Sequence, residues 1–98
     1  TDGNALTLMD IMAQDGDILE DVDRKLKSDQ LHRYISQSLD PREQKVIRLR
    51  YGLDGRAPMA QREVAALLGI SRSYVSRIEK KAVGILRGCF ADELPHGL

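Results

Sequence analysis

Apolar residues along this chain recur at intervals of three and four. Ile18, Val22 and Leu26 are spaced by four, and Leu31, Tyr34, Ile35 and Leu39 carry the rhythm on. A helix buries a stripe of that period on one side, whereas a half-buried strand alternates. The spacing predicts two short helices here, the second starting after a cap at Ser28 or Asp29. DPRE, residues 40–43, opens a third. Asp40 caps it, Pro41 suits its first turn, and Glu43 can reach back to the Asp40 amide. Val46, Ile47 and Leu49 supply its apolar positions, and Gly52 suits its exit. YGLDGRAPM, residues 51–59, reads as a loop. QREVAALL then predicts a short helix ending at Gly69, and Ser71 caps a longer one expected to run to Arg87. The fold class expected is all-α, a small helical bundle. Residues 1–27 form an acidic arm with a short helix, 28–90 the domain, and 91–98 a frayed tail.

The spacing from Gln61 to Lys80 is that of a helix-turn-helix. Such a motif needs a small residue where two helices cross, and Ala65 supplies it. It needs a residue that accepts a positive φ at the turn, and Gly69 stands four positions on. Leu68, Ile70, Val75 and Ile78 are placed to lock the second helix on the first. Projected at about 100° per residue, Val75, Ile78, Ala82, Ile85 and Leu86 form one stripe. Ser73, Ser76, Arg77 and Lys80 fall opposite, flanked by Arg72 and Lys81. In a helix-turn-helix that outer face enters the major groove of DNA. Arg72, Ser73 and Arg77 are the candidates for base contact, since arginine can bond guanine O6 and N7 together. Arg62, Ser71, Tyr74, Lys80 and Lys81 suit the flanking phosphates, which position the protein without specifying sequence. Glu79 lies at the edge of the apolar stripe and is expected in an internal ion pair.

Composition changes this picture in one respect. The 98 residues carry 15 acids and 15 bases, a formal charge of zero. That balance hides an asymmetry: residues 1–40 sum to −5 and residues 41–98 to +5. A basic body behind an acidic arm is compatible with nucleic-acid binding that the total conceals. A chain of this length holds one small domain with a thin core. No apolar run is long enough to span a membrane, and the acidic start is not that of a signal peptide. The single Cys89 fits a reducing, cytoplasmic setting. His32 and His96 are far apart and neither neighbours Cys89, so no metal-ligand spacing exists. Phosphate loops and nucleophile elbows are absent, and the serines at 71, 73 and 76 have no nearby histidine. No enzyme, metal or cofactor is expected.

LDPREQKVIRLRYGLDGRAPMAQREVAALLGISRSYVSRIEKKAVGILR, residues 39–87, resembles region 4 of bacterial sigma factors of the sigma-70 family. SRSYVSRIEKKA looks closest to the mother-cell sporulation sigma factors. The resemblance implies recognition of the −35 promoter element, with Arg72, Ser73 and Arg77 at base-reading positions and Arg62, Lys80 and Lys81 near the DNA backbone. It also implies a grip on the flap tip of the RNA polymerase β subunit, for which Ile47, Leu49 and Leu53 are candidates; the same three residues equally suit an internal core. The acidic strip within LTLMDIMAQDGDILEDVD, residues 6–23, is similar to the linker that runs through the polymerase RNA exit channel. A solvated linker without a partner is the other reading of it. Leu8, Met9, Ile11 and Met12 suggest that part of the arm packs on its own body or on a neighbour.

Two positions depart from the family pattern. Primary sigma factors usually carry Glu and Gln where this chain has Ser73 and Arg77, which implies an altered −35 preference with an added guanine contact. Ala60 stands where the family often has Thr or Ser, so a helix cap is lost, and Gly84 weakens the last helix. A stand-alone helix-turn-helix regulator, a recombinase DNA-binding domain and an interaction module bound by an anti-sigma factor are the alternatives. The first two usually bring a dimerisation element or a catalytic domain, and this chain has neither.

Overall fold

The computed structural model describes Asn4, Thr7, Leu8, Ile11 and residues 21–92. Among the described residues there are four α-helices and no strand: α1 (Asp21–Ser38), α2 (Pro41–Tyr51), α3 (Gln61–Leu68) and α4 (Arg72–Asp92).

α1 corrects the expectation of two helices separated at Ser28 or Asp29. It is continuous through both residues. No glycine or proline interrupts this segment, and Ser28 lies three and seven residues before Leu31 and Ile35, on the same stripe. Ser28 is accordingly buried with them inside the helix instead of capping one. The expected short helix begins at Ile18, which lies outside the described residues.

α2 starts as its sequence predicts. The Asp40 carboxylate accepts from the Glu43 amide at 2.7 Å, and the Glu43 carboxylate accepts from the Asp40 amide at 2.9 Å. Pro41 occupies the first turn, where its missing N–H costs nothing. The helix ends at Gly52 in the left-handed conformation, φ 62°, and the Leu53 amide donates to the Arg48 carbonyl at 3.0 Å. A Cβ at Gly52 would also collide with the Arg56 carbonyl, so this turn excludes every other residue twice over. The loop that follows is tied back where Met59 donates its amide to the Leu49 carbonyl at 3.1 Å.

α3 and α4 form the helix-turn-helix. Gly69 closes α3 at φ 70°, and the Ile70 amide reaches the Ala65 carbonyl at 3.1 Å. Ser71 then caps α4, its hydroxyl accepting from the Tyr74 amide at 3.1 Å. α4 runs to Asp92, five residues beyond the predicted end at Arg87, because Gly84 and Gly88 sit in it without terminating it. Residues 93–98 of the predicted tail lie outside the described residues.

Among the described residues the interior divides into two apolar clusters. The first gathers Val46 and Leu49 from α2, Val64 and Ala65 from α3, and Val75 and Ile78 from α4. The second gathers Leu31, Ile35 and Leu39, Ile47 and Tyr51, Leu53, Ala82 and Leu86, together with Leu8 from the arm. α2 serves both because its apolar residues lie on two faces, 46 and 49 on one and 47 and 51 on the other. The stripe predicted for α4 is also split: its first turns enter one cluster and its last turns the other.

Candidate nucleic-acid interface

The face of α4 opposite this stripe is fully solvated. Arg72, Ser73, Ser76, Arg77 and Lys80 are all exposed, as are Arg62 on α3 and Ser71 in the turn. Among the described residues, Arg72, Arg77, Lys80 and Arg62 make no ion pair. An open cleft lined by Gln61, Arg72, Ser73 and Ser76 runs between the starts of α3 and α4. The expected base-reading residues are therefore brought together, and Arg77 follows one turn further along the same helix.

The acid of this helix is treated differently. Glu79 accepts from Arg50 Nε at 3.0 Å, from the Tyr51 hydroxyl at 2.7 Å and from Gln61 Nε2 at 3.0 Å. Arg50 also donates to the Met59 carbonyl at 3.0 Å. One carboxylate thus joins α2, α3 and α4, as its place at the stripe's edge predicts. Burial, and then the hydrogen bond that the phenol donates to the carboxylate, push the Tyr51 pKa well above the usual tyrosine value. The phenol stays neutral and donating at physiological pH. Turning the acid inward leaves the outer face with bases and hydroxyls alone.

Three other expected site residues have additional company. Tyr74 is half-exposed, with the Arg42 guanidinium 5.5 Å from its ring centroid, a cation–π distance. Lys81 lies with Nζ 3.6 Å from the Glu43 carboxylate, which already holds the α2 cap. Ser71 has its oxygen engaged by the Tyr74 amide, leaving its hydroxyl proton to donate. Sequence reasoning named neither Arg42 nor Gln61 for this surface. Arg42 is 32 positions from Tyr74, and only the packing of α2 against α4 brings them together. Gln61 adjoins Arg62 in the motif, so its position at the start of α3 was the available signal.

The three apolar residues named for a partner contact are not exposed. Ile47 is 0%, Leu49 6% and Leu53 6% accessible. Of the two readings open to them, the structure supports the core: α1, α4 and the arm cover Ile47 and Leu53, and α3 and α4 cover Leu49. Of the acidic strip from Asp10 to Asp23, only Ile11 and residues 21–23, in the first turn of α1, lie within the described residues. Among the described residues no group of three or more His, Cys, Asp or Glu could hold a metal ion, and no helix is long and apolar enough to cross a membrane.

Comparison with known proteins shows the family. A family model described as Sigma-70, region 4 matches residues 37–88. The RNA polymerase sigma-E factor of Clostridium acetobutylicum is 41% identical over 86 residues, covering 88% of this chain and 37% of that protein. The RNA polymerase sigma-K factor of Bacillus subtilis is 42% identical over 83 residues, 84% of this chain and 28% of that protein. The sigma factor SigA of Nostoc sp. is 37% identical over 81 residues, 82% of this chain and 20% of its own length. The chain thus spans well under half the length of these curated relatives. No solved structure matches. With its matched segment running from the end of α1 into α4, the chain belongs to the sigma-70 region 4 family.

Proposed function

We propose that this chain is the promoter-reading part of a sporulation-type sigma factor, binding the −35 element and directing RNA polymerase core to it. The observation that carries the reading is the sorting of charge on α4. Arg72, Arg77 and Lys80 stand exposed without internal acids, while Glu79, on the same helix, is drawn inward by Arg50. In this reading Arg72, Ser73 and Arg77 face base edges. Arg62, Ser71, Tyr74 and Lys80 meet phosphates, with Lys81 shared between phosphate and Glu43. The positive end of the α4 dipole adds to the attraction for the backbone. The chain itself performs no catalysis, works in the cytoplasm on the nucleoid, and comprises an arm (1–27), the DNA-binding domain (28–90) and a tail (91–98). The names of two relatives, sigma-E and sigma-K factor, support an alternative rather than a primary factor.

The test is a selection from randomised −35 duplexes in the presence of core polymerase. The expected outcome is a guanine preference at the positions facing Arg72 and Arg77, lost on Arg72→Ala or Arg77→Ala. Each guanine contact carries about 1–3 kcal/mol of discrimination. Lys80→Ala should instead weaken all duplexes alike and lower the slope of log affinity against log salt by about 1. Equal binding of primary-type and selected duplexes would overturn the altered preference. Intact binding by all three variants would overturn groove docking altogether.

A further inference from the structure

Three donors converge on Glu79, and one of them ends at the surface. Arg50 Nε and Gln61 Nε2 both reach Glu79 Oε1 at 3.0 Å, and the Tyr51 hydroxyl meets Oε2 at 2.7 Å. The Glu79 side chain is 12% accessible, whereas Gln61 lines the open cleft beside Arg72, Ser73 and Ser76. Gln61 must turn its nitrogen to the carboxylate, because its own oxygen would be repelled there. The amide therefore has one orientation, with one of its two N–H groups committed to Glu79. Among the described residues the Gln61 side chain makes no other hydrogen bond, which leaves its second N–H open. Arg50 also holds the Met59 carbonyl, two residues before Gln61, so one guanidinium ties down both the start of α3 and the carboxylate. Gln61 is thus ordered before any ligand arrives, and the freedom that a loose side chain loses on binding is already absent.

We propose that Gln61 is a positioning contact for DNA: its second N–H donates to a phosphate oxygen of the backbone flanking the groove that α4 reads. The proposal rests on the reading of this chain as a promoter-binding domain. Placement favours a phosphate over a base edge. In a helix-turn-helix the first helix crosses the backbone while the second enters the groove, and Gln61 is the first residue of α3. Gln61 differs from Arg62 and Lys80 in carrying no charge. A neutral donor releases no counterion, so its contact strengthens binding without adding to the salt dependence. A phosphate contact also carries no sequence information. Together these two properties separate Gln61 from the arginines and the lysine of the same surface.

The experiment uses the 98-residue chain and the duplex preferred in the selection above, with the variants Gln61→Ala and Gln61→Met. Both lack the N–H groups, and the second keeps the length of the side chain. Each leaves Glu79 bonded to Arg50 and Tyr51, so the junction of the three helices stays closed. Both should bind every duplex about tenfold more weakly, as expected for one hydrogen bond to a charged group. Base preference and the salt slope should match wild type. Copies of the duplex, each with one phosphate replaced by a neutral methylphosphonate, then locate the contact. At one position the replacement should weaken wild type about tenfold more than it weakens either variant. Wild-type affinity in both variants would overturn the contact and leave the promoter reading standing. A shifted base preference would make Gln61 a base reader, and weaker binding without a coupled phosphate would make it a structural residue; either result overturns the proposal. If wild type selects no duplex, the promoter reading fails and takes the proposal with it.

Discussion

The two halves of α4 spend their side chains differently. In the first half, Val75 and Ile78 pack against α2 and α3, and the opposite face keeps Arg72, Arg77 and Lys80 without acidic partners among the described residues. From Lys81 onward, polar and aromatic groups are engaged by other elements of the protein. Lys81 reaches Glu43, the Cys89 thiol donates to Ser38 Oγ at 3.3 Å, and Phe90 meets Tyr34 edge-on at 5.0 Å. One continuous helix therefore has an end that is available and an end that is committed. A helix-turn-helix needs the first to be exact in orientation, and the second anchors it to α1 and the arm.

The strongest way to break this comparison is a matched pair of core truncations. Ile78→Ala and Leu86→Ala should each cost about 2–5 kcal/mol by denaturant unfolding, since both remove a buried branched chain. Their functional effects should differ. At low temperature, where both variants remain folded, Ile78→Ala should weaken DNA binding severalfold because it loosens the crossing of α3 and α4. Leu86→Ala should leave it near wild type. Equal losses of DNA affinity would show that the two halves are not separable.

Glu79→Ala comes next, at about 3 kcal/mol. That is the lower end for breaking a buried pair, because Arg50 keeps some contact with water. It strands the Tyr51 hydroxyl and Arg50 and frees Gln61 at the edge of the reading cleft. Sequence discrimination should suffer more than total affinity, since Arg62 and Lys80, proposed to meet phosphate, remain. The raised Tyr51 pKa sets a pH window for the same network. Its contribution is complete below about pH 10, the ordinary tyrosine value, and is lost as pH rises towards the elevated value in the fold. Tyr51→Phe should remove that alkaline loss, and unfolding curves above pH 10 check it.

Local signals made much of this legible in advance. Asp40, Gly52, Gly69 and Ser71 mark helix ends through chemistry contained within a few residues, and each does in the structure what its position predicts. The inward turn of Glu79 followed from helical phase alone. What escaped were contacts between distant segments: Arg42 with Tyr74, Lys81 with Glu43, and which cluster receives Leu8, a residue expected to pack on the body or on a neighbour. Periodicity identifies an apolar face but not what covers it. For that reason Ile47 and Leu53 could be read either as a surface for a partner or as core. Ser28 failed for the opposite reason: its local preference for a cap lost to its place on the stripe of Leu31 and Ile35.

The smallest effects sharpen the comparison without damaging either half. Ala60 precedes α3, and having no oxygen to offer it forms only half a capping box: its amide donates to Glu63 at 2.8 Å. Ala60→Ser supplies the missing acceptor and should stabilise the helix-turn-helix by about 0.5–2 kcal/mol. Gly84 lies in the committed half with open space where a Cβ would go. Gly84→Ala should therefore add about 0.5–1 kcal/mol through the unfolded chain alone. Hydrogen exchange distinguishes the two. If the halves open separately, Ala60→Ser slows exchange mainly in α3, and Gly84→Ala mainly in the last turns of α4. Uniform protection of all helices by either variant would mean that the domain opens only as a whole, and the division of α4 would then be one of chemistry and not of stability.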